Sequence, residues 1–149
     1  MKSLTRSALV ECSAAEFYAL VEDIEAYPSF LPWCAAAQVR ERTPVRTVAT
    51  LTLAAKGLRQ SFTTANANTP GREIDMQLLE GPFRRFRAQW RFTPLTDSAC
   101  KAEFSIGYEF SSTLVGRLLE PVFSRIADST VDAFRRRAEQ RIAMRKADG

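Results

Sequence analysis

Residues 84–111, RRFRAQWRFTPLTDSACKAEFSIGYEFS, contain the clearest structural pattern in this chain of 149 residues. In the first part, up to residue 94, every second side chain is aromatic or alanine, and the intervening positions carry mostly arginine. From residue 98 onwards, apolar side chains occupy the even positions, while charged or small residues occupy the odd ones. This period of two predicts two strands of an antiparallel sheet, residues 84–94 and 98–111, with one buried and one solvated face.

Strand character continues towards the N-terminus of the chain. Turns that contain proline or glycine separate four further predicted strands, at residues 35–43, 45–56, 58–68 and 72–79. Residues 3–11 are also rich in β-forming side chains and predict the first strand. The chain therefore predicts a sheet of seven strands.

A short helix is predicted between the first two strands. Ser13 and Glu16 have the spacing of a capping box, and apolar residues follow at helical spacing over residues 14–23. Pro28 and Pro32 then interrupt any helix, because the residue before a proline is pushed out of the α region. The aromatic-rich segment Tyr27–Cys34 is therefore predicted as an irregular connection.

After residue 113 the hydrophobic period changes from 2 to 3.6, which predicts one amphipathic helix of roughly 30 residues with a possible kink at Pro121. The apolar stripe contains Val115, Leu118, Leu119, Val122, Phe123, Ile126, Val131, Phe134, Ala138 and Ile142. A long helix with one apolar stripe needs a large concave surface to cover it. We therefore predict an α+β helix-grip fold, a single domain over residues 1–149 in which a curved seven-stranded antiparallel sheet wraps around the C-terminal helix. Such an arrangement can leave an apolar cavity between sheet and helix.

The chain contains no histidine, which excludes most common catalytic centres. Serine and cysteine nucleophiles activated by histidine, histidine general bases, and nearly all zinc and non-haem iron sites are ruled out. The acidic residues Glu103 and Glu109 fall on the predicted solvated face, so no catalytic residue and no metal ligand is assigned. Composition thus favours binding over catalysis.

Cys12, Cys34 and Cys100 are widely spaced and form no CxxC motif, as expected for three reduced thiols in a cytoplasmic protein. The N-terminal residues lack the apolar region of a signal peptide, and no apolar run approaches the ~20 residues of a membrane span. We expect a cytoplasmic protein, with peripheral membrane contact as an open alternative.

The basic residues are unusual in kind. Of the 21 basic residues 17 are arginine, and the net charge is only +4. Arginine binds phosphate through a planar fork of donors, so RNA or another phosphate-bearing partner is a candidate. The alternative is that arginine is simply the preferred cation of a GC-rich genome.

Four motifs in order along the chain resemble one known family. They are YPSFLPWC at 27–34, GPF at 81–83, WRFTPL at 90–95 and FRRRA at 134–138. This combination resembles the RatA and coenzyme-Q-binding START-like (SRPBCC) group, also called the polyketide cyclase/dehydrase group, from about residue 3 to residue 140. The resemblance implies a helix-grip fold.

The resemblance also implies two activities. RatA-like proteins are expected to bind the large ribosomal subunit and inhibit 70S subunit association, as a type II toxin does. Their mitochondrial relatives are expected to bind ubiquinone or another isoprenoid lipid in support of respiratory electron transport. The cyclase label implies an enzyme, which the absence of histidine does not favour. No cofactor is required for either binding activity, and ubiquinone is the bound molecule that the second would imply.

For a hydrophobic small molecule such as a quinone, we predict a lining from the inner face of the sheet and the apolar side of the long helix. The alternative is that these side chains simply fill the core. The candidate lining residues, with the first two at the cavity mouth, are Phe30, Trp33, Phe62, Met76, Leu78, Trp90, Phe92, Tyr108, Phe110, Leu118, Val122 and Phe123.

For a ribosomal or RNA partner, we predict contacts from the turn after residue 81 and from the long helix. An aromatic ring flanked by guanidinium groups can stack on a base and pair with phosphates. The alternative is a hairpin turn and an ordinary solvated helix face. The candidate residues are Phe83, Arg84, Arg85, Arg87, Arg135 and Arg136.

Overall fold

Seven strands, two α-helices and a short 3₁₀ helix form the structure, a computed structural model that describes residues 2–148. The strands are β1 Lys2–Val10, β2 Cys34–Thr43, β3 Arg46–Ala55, β4 Leu58–Thr69, β5 Glu73–Glu80, β6 Phe83–Thr96 and β7 Ala99–Phe110. The helices are α1 Ala14–Glu22, the 3₁₀ helix Ile24–Ser29 and α2 Thr113–Asp148. The predicted element order is confirmed.

The strands form one antiparallel sheet in the order β1-β7-β6-β5-β4-β3-β2. Chain neighbours pair with each other throughout, except that β1 joins the far edge of β7. In the β6–β7 register Trp90 faces Phe104 and Phe92 faces Ala102, so both apolar sets share the inner face. The alternation in residues 84–111 thus predicted the correct faces.

Local signals in the sequence set several element boundaries. The Ser13 hydroxyl accepts a hydrogen bond from the Glu16 amide at 3.1 Å and donates to the Glu16 carboxylate at 3.2 Å, so Ser13 caps α1 as predicted. Lys56 and Gly57 both have positive φ, as the tight turn between β3 and β4 requires.

The connection after α1 is more regular than predicted. Residues Ile24–Ser29 form a 3₁₀ helix that contains Pro28, whereas Tyr27–Cys34 was expected to be irregular throughout. The Leu31 amide donates to the Tyr27 carbonyl at 2.9 Å, and the Cys34 amide donates to the Leu31 carbonyl at 3.0 Å. These turn hydrogen bonds hold the segment against the core, where Leu31 is almost completely buried.

Helix α2 has 36 residues and contains Pro121, so it is longer than the predicted helix of about 30 residues. Its apolar stripe packs on the inner face of the sheet, where Phe134 contacts Trp90 and Phe123 contacts Tyr108. Two ion pairs attach the helix to the edge strand β1: Arg6 to Asp128 at 2.8 Å, and Lys2 to Glu120. This is the predicted helix-grip arrangement.

The three cysteine thiols are free and buried. Burial, followed by the neighbouring Cys100 and Glu16, raises the pKa of Cys12 to about 12. Burial also raises the pKa of Cys34 and of Cys100. The thiolate form is therefore disfavoured at all three positions, which does not suit a cysteine nucleophile.

Candidate functional site

Aromatic side chains fill most of the space between the sheet and α2. Beside Phe83 and Phe123, the free volume between the sheet and α2 is only about 10 Å³. A single water molecule needs roughly 10–15 Å³ measured in this way, so a quinone ring does not fit without movement of the walls. The prediction of an apolar cavity is therefore corrected at this position to a nearly closed core.

Phe83 is the physical reason for the closed core. Its ring centroid lies 5.1 Å from each of the Phe86, Phe110 and Phe123 centroids, and 6.3 Å from that of Tyr108. Ring contacts at these distances are the preferred packing of aromatic side chains. One side chain from the start of β6 thus occupies the volume in which a ligand was expected.

The predicted lining residues separate into two clusters. Phe62, Phe110 and Phe123 border the residual space, together with Leu53, Gln60, Pro82, Phe83 and Leu119, which were not among the predicted lining residues. Trp90 and Phe92 instead stack on each other at 5.8 Å and pack against Phe17 from α1. The core is thus divided between a Phe83 cluster and a Trp90 cluster.

The remaining predicted lining residues have different environments. Tyr108 and Val122 are buried, whereas Met76 and Leu78 are half-buried against the core. Leu118 is 55% exposed, so its assignment to the cavity wall was wrong. Successive residues of a helix differ by about 100° in direction, and it is the neighbouring Leu119 that faces the sheet.

Of the two predicted mouth residues, Phe30 lies at the Trp90 end of the core and Trp33 lies beside β3. The Phe30 ring packs edge-on against Phe134 at 5.2 Å and against Tyr27 at 6.0 Å. Trp33 is half-buried, and its carbonyl accepts a hydrogen bond from the Ala54 amide of β3 at 2.8 Å. The Phe30 ring therefore braces the segment after α1 against α2, and the Trp33 backbone attaches it to the sheet.

The predicted partner surface is partly corrected. Phe83 is only 8% exposed, so it cannot stack on a base of an RNA partner. Its side chain points inwards although the other inward residues of β6 are even-numbered, because a bulge between Phe83 and Arg85 shifts the register at the start of the strand. Arg84, Arg85 and Arg87 lie on the surface as predicted, with 63–70% of each side chain exposed.

The arginines of β6 have acidic neighbours on adjacent strands. Arg87 forms an ion pair of 3.0 Å with Asp75 of β5. Arg84 and Arg85 both lie 3.9 Å from the Glu109 carboxylate of β7, a separation at which the attraction is weak. Two guanidinium groups thus share one carboxylate at the start of β6, which leaves local positive charge there.

The predicted basic face of α2 is closer to neutral. Arg135 pairs with Asp132 at 2.5 Å and with Glu139 at 2.8 Å, while Arg136 pairs with Asp132 at 2.9 Å. The hydrogen bond from Arg135 holds the pKa of Asp132 below its usual range, with Arg136 adding to the effect. These arginines are therefore engaged within the helix, unlike those of β6.

Acid–base groups near the core are held in unreactive forms. The Tyr108 hydroxyl donates to Glu120 at 3.2 Å; burial, and then the charge of Glu120, raises the pKa of Tyr108. Burial likewise raises the pKa of Tyr27, whose hydroxyl donates to the Val21 carbonyl. Within residues 2–148, no three acidic or cysteine side chains lie close enough to hold a metal ion.

The described part of the chain has no helix with the length and hydropathy needed to cross a membrane.

Comparison with known proteins identifies the family of this chain. The polyketide cyclase / dehydrase and lipid transport family matches residues 10–135. The ribosome association toxin RatA of Vibrio cholerae is 41% identical over 140 residues, which cover 94% of this chain and 97% of that protein. A mitochondrial coenzyme Q-binding protein COQ10 homolog B from Xenopus laevis is 24% identical over 138 residues, covering 90% of this chain and 57% of that protein.

The fold agrees with this comparison. The crystal structure of the Zhui aromatase/cyclase from a Streptomyces species matches with a TM-score of 0.82 and covers 95% of both chains. Its 18% sequence identity shows a common fold and nothing further about activity. Because the family matches most of its length and its RatA relatives are similar over nearly the whole chain, this chain belongs to the polyketide cyclase / dehydrase and lipid transport family.

Proposed function

We propose that the protein binds the large ribosomal subunit in the cytoplasm through the outer face of β6 and blocks association of the subunits. The observation that carries this proposal is the exposed arginine group Arg84, Arg85 and Arg87, in a chain whose relatives at 41% identity are named ribosome association toxins. The closed core adds support, because it leaves the exterior as the surface that is ready to bind.

The spacing of these arginines suits the backbone of an RNA strand. Residues two apart on a strand lie on the same face, about 6.6–6.8 Å from each other, so Arg85 and Arg87 are neighbours on the outer face of β6, and Arg91 follows on that face after Gln89. A guanidinium group donates two parallel hydrogen bonds to a phosphate, and an exposed one needs little rearrangement to do so. This face therefore offers several phosphate contacts with no requirement for a particular base.

Neighbouring carboxylates limit the strength of these contacts. Asp75 holds Arg87 at 3.0 Å, and RNA phosphate has to compete with that carboxylate for the guanidinium group. Arg84 and Arg85 are less engaged, because Glu109 lies 3.9 Å from both. We therefore expect Arg84 and Arg85 to contribute more to binding than Arg87.

Sedimentation of purified ribosomal subunits with the protein tests this proposal. The triple variant Arg84→Gln, Arg85→Gln, Arg87→Gln should lose co-sedimentation with the large subunit and should no longer reduce 70S formation. A matched control is Arg59→Gln, Arg72→Gln, Arg125→Gln, which removes the same charge from exposed positions elsewhere. Wild-type binding should weaken as salt is raised, because phosphate contacts release bound counterions. Equal losses in the two triple variants would contradict a role for this surface.

A second candidate is binding of a quinone in the core, favoured by the relative from Xenopus laevis. The rings of Phe62, Phe83 and Phe123 would have to separate, because the space between them is about 10 Å³. Organic extraction and mass spectrometry of the purified protein should then reveal an isoprenoid lipid, and added quinone should quench tryptophan fluorescence. An empty extract without quenching would exclude this candidate.

A further inference from the structure

A surface groove of about 730 Å³ lies between α1 and the C-terminal half of α2, away from the Phe83 cluster and from β6. Its size lies within the ~300–1,000 Å³ typical of small-molecule sites. The α2 wall presents Arg137, Arg141 and Arg145, which follow each other at intervals of four residues and so share one side of the helix.

Two of these arginines already have acidic partners on the α1 side. Arg145 pairs with Glu16 at 2.7 Å. Burial alone would raise the pKa of Glu16, but hydrogen bonds from Arg145 and Ser13 outweigh it and lower the pKa. Arg141 lies 3.9 Å from Asp23, at the limit of an ion pair. These two pairs partly neutralise the charge of the groove.

Arg137 is different, because it has no acidic partner among residues 2–148. Its guanidinium carbon lies 5.3 Å from the centroid of the Phe30 ring, which orients the planar group. Its Nε atom is buried and has no hydrogen-bond partner. A buried donor without an acceptor is unfavourable, so this atom marks a position where an incoming acceptor would be stabilising.

The rest of the lining is largely apolar. Leu20 and Ala138 are buried in its walls, and Met144 stands at its rim with 63% of its surface exposed. Three guanidinium groups against the two carboxylates of Glu16 and Asp23 leave one net positive charge. The groove therefore combines an excess of one charge with an apolar wall.

We propose that this groove binds an amphipathic monoanion, a carboxylate attached to an unbranched acyl chain. The carboxylate would accept hydrogen bonds from Arg137 and from Arg141, whose contact with Asp23 is weak, and the acyl chain would lie along Leu20, Ala138 and Met144. A carboxylate carries one negative charge, which matches the excess in the groove, whereas a phosphate monoester carries about 1.5–2 at neutral pH. The groove lies apart from the Phe83 cluster and from the β6 surface, so the site is independent of ribosome and quinone binding.

Calorimetric titration with decanoate, at concentrations below micelle formation, tests the site directly. Decanoate should bind the wild-type protein, and Arg137→Gln should weaken binding at least tenfold. The neighbouring variant Arg136→Gln is the matched control, because it removes the same charge from an exposed position that pairs with Asp132, outside the groove. Equal affinity of Arg137→Gln and wild type for decanoate would overturn the proposal.

Two further measurements distinguish loss of the site from misfolding of the variant and from non-specific binding of anions. Met144→Glu changes an exposed rim residue, so the protein should stay folded while the added carboxylate weakens decanoate binding; Met144→Gln should bind normally. Neutral 1-decanol and the dianion decyl phosphate, of the same chain length, should both bind at least tenfold more weakly than decanoate. Tighter binding of either compound would overturn the assignment of a carboxylate.

Discussion

Phe83 has a role in the structure that differs from the one its sequence neighbours predict. Phe83 follows Gly81-Pro82 and precedes two arginines, which from the sequence is typical of an exposed turn. In the structure its ring contacts five other rings and is 8% exposed. The core therefore depends on this residue more than the partner surface does.

Phe83→Ala should destabilise the protein by about 3–5 kcal/mol, because a buried phenylalanine is lost and the surrounding rings can collapse only in part. Urea unfolding followed by circular dichroism measures this change. Leu95→Ala is the control: Leu95 is exposed, so its loss should cost no more than about 0.5 kcal/mol. Similar losses in the two variants would show that Phe83 does not hold the core together.

Gly81 is the second residue on which the Phe83 cluster depends. Its φ is +155°, and a Cβ atom at this position would lie 2.9 Å from the Phe62 Cβ and 3.2 Å from the Leu78 Cδ1. Gly81→Ala should destabilise the protein by more than Gly57→Ala. Gly57 has a φ of +78°, but a Cβ atom there would meet nothing within 4 Å, so only the backbone cost of about 1–2 kcal/mol applies.

Thermal unfolding of both glycine variants separates the two costs. Gly57→Ala reports the cost of a left-handed backbone alone, and the excess in Gly81→Ala reports the close approach of Gly81 to Phe62 together with the higher backbone cost at φ +155°. If Gly57→Ala were the more destabilised protein, the packing of Phe62 against the turn would be loose enough to yield, and the rigid closure of the core beside it would be contradicted.

At the scale of elements, a buried polar cluster joins α1 to the sheet. Thr47 of β3 is completely buried and its hydroxyl donates to the Glu22 carboxylate at the end of α1. The Asn68 amide of β4 donates to the Thr47 hydroxyl at 3.0 Å and to Glu22 at 3.4 Å. Periodicity cannot predict such a cluster, because it depends on the approach of three elements that are distant along the chain.

Thr47→Val should destabilise the protein by about 1–3 kcal/mol, although the two side chains have nearly the same shape. The reason is that Asn68 loses an acceptor and Glu22 loses a donor in a position that water does not reach easily. Chemical denaturation of Thr47→Val beside Thr52→Val tests this. Thr52 also lies on β3, but its hydrogen bond to Ser61 is exposed, so its loss should cost less than about 0.5 kcal/mol. Equal stability of the two variants would contradict the bridging role of Thr47.

The sequence was sufficient for the seven strands, the two α-helices and most of their faces, but not for the 3₁₀ helix, for the directions of Phe83 and Leu118, or for the contents of the core. Alternation along β6 and β7 predicted which side chains point inwards, since that depends only on the pleat of a strand. Whether Trp90 and Phe83 line a cavity or fill it depends on distances between elements, which no local pattern contains. The α1–α2 groove was missed for the same reason: Arg137, Arg141 and Arg145 share a helix side, but their acidic partners come from α1.

At the scale of the whole molecule, which has a net charge of +4, the arginines differ in how closely they are paired with carboxylates. Arg42 bridges to Glu25 at 2.8 Å and Arg145 to Glu16 at 2.7 Å, so several arginines act within the fold. Arg84 and Arg85 share one distant carboxylate, and Arg137 has none among the described residues. The arginines thus have two roles here: some form ion pairs within the fold, and others remain available as hydrogen-bond donors to a partner.

The arginines that pair with carboxylates within the fold should make stability depend on pH in the acidic range. Hydrogen bonds from Arg42 lower the pKa of Glu25, and those from Arg135 lower the pKa of Asp132. Burial would raise the pKa of Glu16, but its bonds to Arg145 and Ser13 lower it overall. Because the unfolded chain binds these protons more readily, the stabilisation is complete above the ordinary values of 4.5 and 3.8 and is lost as pH falls through the lowered native values.

When urea unfolding is measured between pH 7 and pH 2.5, the urea concentration at the midpoint should therefore decrease once the pH is below about 4.5. The triple variant Glu16→Gln, Glu25→Gln, Asp132→Asn should be less stable than wild type at pH 7 and should show a shallower fall, because the groups that take up protons on unfolding are gone. All three carboxylates are largely exposed, so 0.5 M salt should reduce the difference between the proteins at pH 7. An acid limb of the same slope in both proteins would mean that these ion pairs, despite their short distances, do not stabilise the fold.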